Sequence, residues 1–149
     1  HALDRVWWLM GNPKPISVLG ATFSKFRHLV PEEIKYDVDD SAFAQIRFDN
    51  GATLMLEATW SLNLPGTGYL QIAGTEAGAK LDPLTIYRDD QDETPEVPSI
   101  NGFREEVKHF VDCVLDNQIP IASAEQGVTL MKMLDAIYES SDKMGEVRL

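Results

Sequence analysis

The 149-residue sequence sets 13 Lys and Arg against 24 Asp and Glu, a formal net charge of −11, which is the wrong sign for phosphate backbones or anionic membrane surfaces. Nucleic acid and membrane are therefore not expected partners. Cys113 is the only cysteine, so an intrachain disulfide is excluded and a reducing, cytoplasmic setting is expected. The strongest apolar run, residues 6–10, is far shorter than a bilayer span. The length suits a single domain over residues 1–149.

The chain opens on His1 already in a helical pattern, and it is expected to be cut from something longer. Leu3, Val6, Trp7 and Met10 recur at spacings of three and four, which predicts one face of a helix ended by Gly11, Asn12 and Pro13. Residues 16–26 read as a strand and residues 28–40 as a polar loop. The plainest local signal is a hairpin. Ala42, Ala44, Ile46 and Phe48 alternate with Phe43, Gln45 and Arg47, then Asp49, Asn50 and Gly51 supply a turn. On the return strand Leu54, Leu56, Ala58 and Trp60 share one face, while Met55, Glu57 and Thr59 share the other.

Residues 63–68 read as a turn leading to a short strand over residues 69–73, and Gly74 to Gly78 as a second turn. Residues 80–88 predict a strand placed at an edge or bulge by Pro83, and residues 89–98 an acidic, solvated loop. Two helices close the chain. The first starts near Asn101 with Phe103, Val107, Phe110, Val111 and Val114 as its apolar side. The second follows a capping box of Ser123 and Gln126, carries Leu130, Met131, Leu134, Ile137 and Tyr138 as its stripe, and stops at Gly145. The sum is an α+β fold, a mainly antiparallel sheet with helices packed on one face. The other face, where Phe43 and Met55 stand among Gln45, Arg47 and Glu57, is left open to solvent or to another subunit.

No glycine fingerprint of a dinucleotide-binding fold follows a strand, and Gly74 to Lys80 imitates a phosphate loop without its spacing. There is no Gly-x-Ser-x-Gly nucleophile elbow. His109 and Cys113 are four apart on a helix, but no second His or Cys is near, so no metal site is expected; a surface histidine beside a half-buried cysteine accounts for both. His1 and Asp4, three apart, face the same way, and a carboxylate can orient an imidazole for general acid or base work. An ordinary helix-end pair would look the same. Trp60, on the core-facing side of its strand, reads as a packing residue that could also border a cleft.

The segment holding His1, Asp4, Trp7, Trp8 and Gly11 resembles the helix that opens the C-terminal domain of the glucose-fructose oxidoreductase, inositol dehydrogenase and rhizopine-catabolism (Gfo/Idh/MocA) family. The similarity continues through Tyr36, Asp39 and Asp40, the hairpin around Asn50 and Gly51, and the Gly74-Thr75 turn. It then takes in residues 106–113, 124–127 and 136–140. The resemblance implies a nicotinamide-dependent oxidoreductase of a sugar, inositol or related polyol, with NAD or NADP held mainly by an N-terminal Rossmann domain that is absent from these residues. It implies that this domain supplies substrate contacts and the contacts of a homo-oligomer, dimer or tetramer, and that the chain by itself is inactive. His1 would be the histidine of the family's Asp-x-x-x-His pattern, with its aspartate and a lysine upstream, and Asp4 would support it. A non-enzymatic ligand-binding or scaffolding module of the same fold is the alternative.

Overall fold

The Asp49-Asn50-Gly51 turn is where the local signal and the structure meet most directly. In the computed structural model, which describes residues 1–64, 68 and 70–149, Gly51 takes φ +85°, a left-handed value that glycine adopts without steric cost. Its N–H donates to the Phe48 carbonyl, and the Ala52 N–H donates to Asn50 Oδ1. This turn joins β2 (Ser41–Phe48) to β3 (Thr53–Thr59), which pair antiparallel with Ala44 opposite Leu56 and Gln45 opposite Met55. β2 also pairs antiparallel with β1 (Pro15–Phe23), and β1 with the short β8 (Val147–Arg148), giving the order β3-β2-β1-β8.

The described residues form two compact units, one of His1–Gly66 with Gln126–Leu149 and one of Thr67–Glu125. In the first, α1 (Ala2–Leu9) and α3 (Ala124–Lys143, apart from its first two residues) cover one face of the four-stranded sheet. The core is Leu3 and Trp7 of α1, Val18 of β1, Ala44, Ile46 and Phe48 of β2, Leu54 of β3, and Met133, Ala136 and Ile137 of α3. Burying side chains of this size contributes roughly 1.5–3 kcal/mol each for the larger ones. The helix ends where expected. Gly11 and Asn12 adopt positive φ after α1, and Trp7 Nε1–H donates to the Pro13 carbonyl at 2.8 Å.

The stripe of α3 is only partly the one the apolar pattern predicts: Ile137 is in the core and Leu130 and Leu134 pack against it. Met133, Ala136, Ile137 and Ser140 face the sheet, while Met131 and Tyr138 are about half exposed. The reason is a close approach: a Cβ on Gly20 of β1 would stand 3.0 Å from Ile137 Cγ2 and 3.3 Å from the Phe43 carbonyl oxygen. On the strand side only glycine fits this contact without a shift, and hydrophobicity does not mark Ala136 or Ser140 as core. Ser140 Oγ accepts from the Gly20 N–H at 2.8 Å and donates to the Gly145 carbonyl, and Ser141 Oγ accepts from the Thr22 N–H at 3.0 Å. β8 reaches only Ser17 and Val18. The two serines satisfy the strand's next N–H groups, which water or a strand must otherwise serve. The residue with positive φ after α3 is Met144, not the expected Gly145.

In the second unit β4 (Leu70–Ala73), β5 (Gly78–Leu81), β6 (Thr85–Tyr87) and β7 (Asp92–Glu93) form an antiparallel meander. The Gly74 turn is as expected, its N–H donating to Ala77, and a Cβ there would stand 2.8 Å from the Ala77 carbonyl oxygen. The single strand predicted over residues 80–88 is instead two, because the backbone turns at Asp82, where φ is +64°. The acidic loop contains the two residues of β7, tied by an Arg88–Glu93 ion pair of 2.7 Å. Residues 65–67 of the turn predicted over 63–68, and Tyr69 at the predicted start of the next strand, lie outside the described residues.

α2 (Gly102–Leu115) begins at Asn101, whose side chain accepts from the Arg104 N–H as an N-cap. Its burial reverses the expectation. Phe103, Val107, Phe110 and Val114 are all at least 60% exposed, whereas Cys113 is buried and His109 half-buried. The chain beyond the helix explains this, since the Gln118 N–H returns to the Cys113 carbonyl and the Ile121 N–H to His109 Nε2. The α+β architecture stands, with two antiparallel sheets and three α-helices among the described residues.

Candidate functional site

His1 is the N-cap of α1, accepts the Arg5 N–H on its carbonyl, and does not use its side chain as a cap. Asp4 lies in the first turn, where a carboxylate also favours the positive end of the helix dipole. Both residues are exposed. Leu3 and Trp7 of the same helix are buried in the core, so packing fixes how α1 sits and therefore where its exposed His1 and Asp4 are presented.

His109 and Cys113 come together as the spacing predicts, Sγ lying 3.6 Å from Nε2. The ring nitrogen that faces the thiol is already the acceptor for the Ile121 N–H at 3.1 Å. This pair anchors the segment after α2. No group of three or more His, Cys, Asp or Glu disposed to hold a metal ion exists among the described residues.

The most ordered polar cluster was not visible as a site in the sequence. Asp40 is 1% exposed, and its carboxylate accepts from the N–H groups of Lys25 and Phe26, the Tyr36 hydroxyl and the Ser41 hydroxyl. Burial pushes this carboxyl up, but the four hydrogen bonds to its charged form outweigh it and hold it below its ordinary value. Tyr36 shifts the other way, raised by burial and by donating to Asp40. Next to it, the Tyr138 hydroxyl donates to Asp39 Oδ1 at 2.7 Å, and this bond with burial raises Tyr138 as well. Asp40 is thus the knot of the 24–40 loop. Trp60 is the clear correction. It is not a packing residue but 58% exposed, because β3 loses its cover after Leu56 and the chain leaves the sheet.

The sequence profile described as "Oxidoreductase family, C-terminal alpha/beta domain" matches residues 1–149. The chain belongs to the Gfo/Idh/MocA oxidoreductase family. Among curated members, D-glucoside 3-dehydrogenase of Escherichia coli is 29% identical over 163 residues, covering 100% of this chain and 46% of that enzyme. D-xylose 1-dehydrogenase (NADP(+)) 2 of Haloferax volcanii is 28% identical over 123 residues, covering 75% of this chain and 37% of that enzyme. This chain therefore spans less than half the length of the family members it matches. Aldose-aldose oxidoreductase of Caulobacter crescentus superposes with a TM-score of 0.83 at 20% identity, over 99% of this chain and 45% of that one, which shows the shared fold.

A Gfo/Idh/MocA enzyme with a dinucleotide cofactor needs a phosphate-binding turn, usually of glycines at a helix N-terminus. The glycines at Gly74 and Gly78 do not fit that role. The Gly74 N–H is spent on Ala77 across a hairpin that joins two strands. No helix among the described residues is long and apolar enough to cross a membrane.

Proposed function

We propose that this chain is the substrate-binding and subunit-contacting part of an oxidoreductase that acts on a sugar, inositol or related polyol in the reducing cytoplasm. The family match over residues 1–149 carries the reading, and the glucoside and xylose dehydrogenases among its relatives supply the substrate class. The hydride partner is NAD or NADP, held by an N-terminal Rossmann domain outside these residues; the single C-terminal domain over residues 1–149 handles the substrate. His1 transfers the proton of the reacting hydroxyl, and Asp4 supports the ring from the next turn of α1.

The test is the natural reading frame containing this chain, expressed whole and assayed by nucleotide absorbance with NAD and NADP on D-glucosides, D-xylose and inositol. Replacing His1 with Ala in that protein lowers kcat by about 10²- to 10⁴-fold, while residues 1–149 alone reduce no nucleotide. Turnover by residues 1–149 alone, or full activity without the imidazole, refutes the assignment. A whole protein that binds sugars and turns over none is instead a ligand-binding module.

The open sheet face is the subunit contact in this reading. Met55 is 74% exposed and Phe43 37%, with Phe23 edge-on to Phe43 at 6.2 Å. Beside them Ser17, Leu19, Gln45, Arg47 and Glu146 line a depression. Light scattering after size exclusion gives a dimer or tetramer, and Met55→Lys shifts it toward monomer. A monomeric wild type, or an assembly indifferent to Met55→Lys, removes this surface from consideration.

A further inference from the structure

Trp60 is exposed and yet held. Its indole N–H donates to the Asp39 carbonyl at 3.1 Å, and its backbone N–H donates to the Asp40 carbonyl at the same distance. The ring meets Tyr36 at 6.3 Å between centroids and 63° between planes. Tyr36 in turn is fixed by its hydroxyl bond to Asp40 and lies under the Arg27 guanidinium at 5.9 Å. Arg27 is committed to the carbonyls of Val30, Pro31 and Glu32. An aromatic ring pinned on one side and 58% exposed has lost its rotamer freedom before any ligand arrives, which lowers the cost of binding.

Asp39 completes the geometry. Tyr138 occupies one site on Oδ1, and a carboxylate has about four lone-pair sites. An exposed ring tied to the backbone of a residue whose carboxylate has acceptor capacity left matches one ligand chemistry well: a pyranose, which presents C–H bonds on a face and hydroxyl donors at its rim. We propose that Trp60, Tyr36 and Asp39 form a platform for a neutral pyranoside, its C–H face stacked on the indole and a rim hydroxyl donating to Asp39. The proposal rests on the sugar reading above and narrows it. Glu32, Glu33, Asp37, Asp39 and Asp40 outnumber Lys25, Arg27 and Lys35 on the 24–40 loop, an acidic balance that disfavours sugar phosphates and uronates, so the substrate class is uncharged glycosides.

Binding is read on the full chain by saturation-transfer NMR and calorimetry with methyl β-D-glucopyranoside, methyl β-D-xylopyranoside and glucose 6-phosphate. The two methyl glycosides bind and receive saturation at their ring C–H protons. Losing a stacking face weakens them by about 10-fold or more in Trp60→Ala, whereas Trp60→Phe stays within about threefold because an aromatic face remains. Asp39→Asn weakens them by several-fold, and glucose 6-phosphate binds at least about 10-fold more weakly than the glucoside. Unchanged affinity in Trp60→Ala overturns the platform, as does equal binding of glucose 6-phosphate or no glycoside binding by the wild type. The KM of the whole enzyme separates the two readings. Sugar turnover with a KM indifferent to Trp60→Ala sinks the platform and leaves the oxidoreductase standing, while Trp60-dependent binding without turnover does the reverse.

Discussion

Adding one methyl group at two glycines should move stability in opposite directions. At Gly20, a Cβ would lie 3.0 Å from Ile137 Cγ2, 3.3 Å from the Phe43 oxygen and 3.4 Å from Ala44 Cβ, when carbon pairs prefer about 3.5–4.0 Å. α3 cannot easily retreat, because Ser140 and Ser141 bind the N–H groups of Gly20 and Thr22 at 2.8 and 3.0 Å. Overpacking of this kind costs about 1–3 kcal/mol. The stiffer unfolded chain returns about 0.4–1 kcal/mol, so Gly20→Ala loses about 1–2 kcal/mol net. For a chain of this size that is a Tm lower by about 3–6 °C. Gly127 is exposed, helical and has nothing within 4 Å of its would-be Cβ, so Gly127→Ala gains up to about 1 kcal/mol from helix propensity. Urea titrations followed by circular dichroism give both values. The cause is isolated by adding Ile137→Ala, which alone costs about 2–5 kcal/mol. With the Cγ2 methyl gone, the pair should cost about 1–2 kcal/mol less than the sum. Strict additivity, or a Gly20→Ala protein as stable as wild type, refutes the close-approach account of this helix and sheet.

Two other perturbations follow from the same unit. Ser140→Ala strands the Gly20 N–H and the Gly145 carbonyl at a site with 0% exposure, which should cost about 1–3 kcal/mol in the same titration; a change below the error of the fit counts against it. Asp40 has a folded-state pKa below its unfolded one, so its contribution is present above the unfolded value, about 3.9, and is lost as pH falls through the lower folded value. Stability measured from pH 6 down to pH 2 should therefore fall at the acid end, and Asp40→Asn should flatten that part of the profile while lowering the plateau. A parallel profile in the variant means that Asp40 is not the group titrating.

The elements whose signal is local were legible. The alternation of β2 and β3 and the Asn50-Gly51 turn place a hairpin without help from the rest of the chain, and Gly11-Asn12-Pro13 ends α1 for reasons confined to four residues. What the pattern misread were faces decided elsewhere. α3 turns Ile137 and Ser140 to the sheet because Gly20, more than 100 positions away, leaves room for the isoleucine and offers its N–H to the serine. α2 turns Cys113 inward because the chain returns over it at Ile121, and no count of apolar residues contains that return. The candidate site divides in the same way. His1 and Asp4 were singled out by helical spacing and resemblance, and both stand exposed at the start of α1, whereas Trp60 was assigned to packing because strand parity says which side a residue is on, not whether anything covers it. Asp40 looked like one acid among 24 Asp and Glu, and only the four donors folded around it set it apart.

The paired serines near the end of α3 have a meaning for how copies of this protein can meet. A strand that runs past a short neighbour is a template on which a foreign strand can grow. Along β1 that template is interrupted, since the bonds a newcomer would make at Gly20 and Thr22 are already made to hydroxyls of the same molecule. Sheet extension along this rim is therefore blocked at Gly20 and Thr22 by the chain's own helix, which leaves β3 at the other end of the order β3-β2-β1-β8 as the edge where a foreign strand could still add.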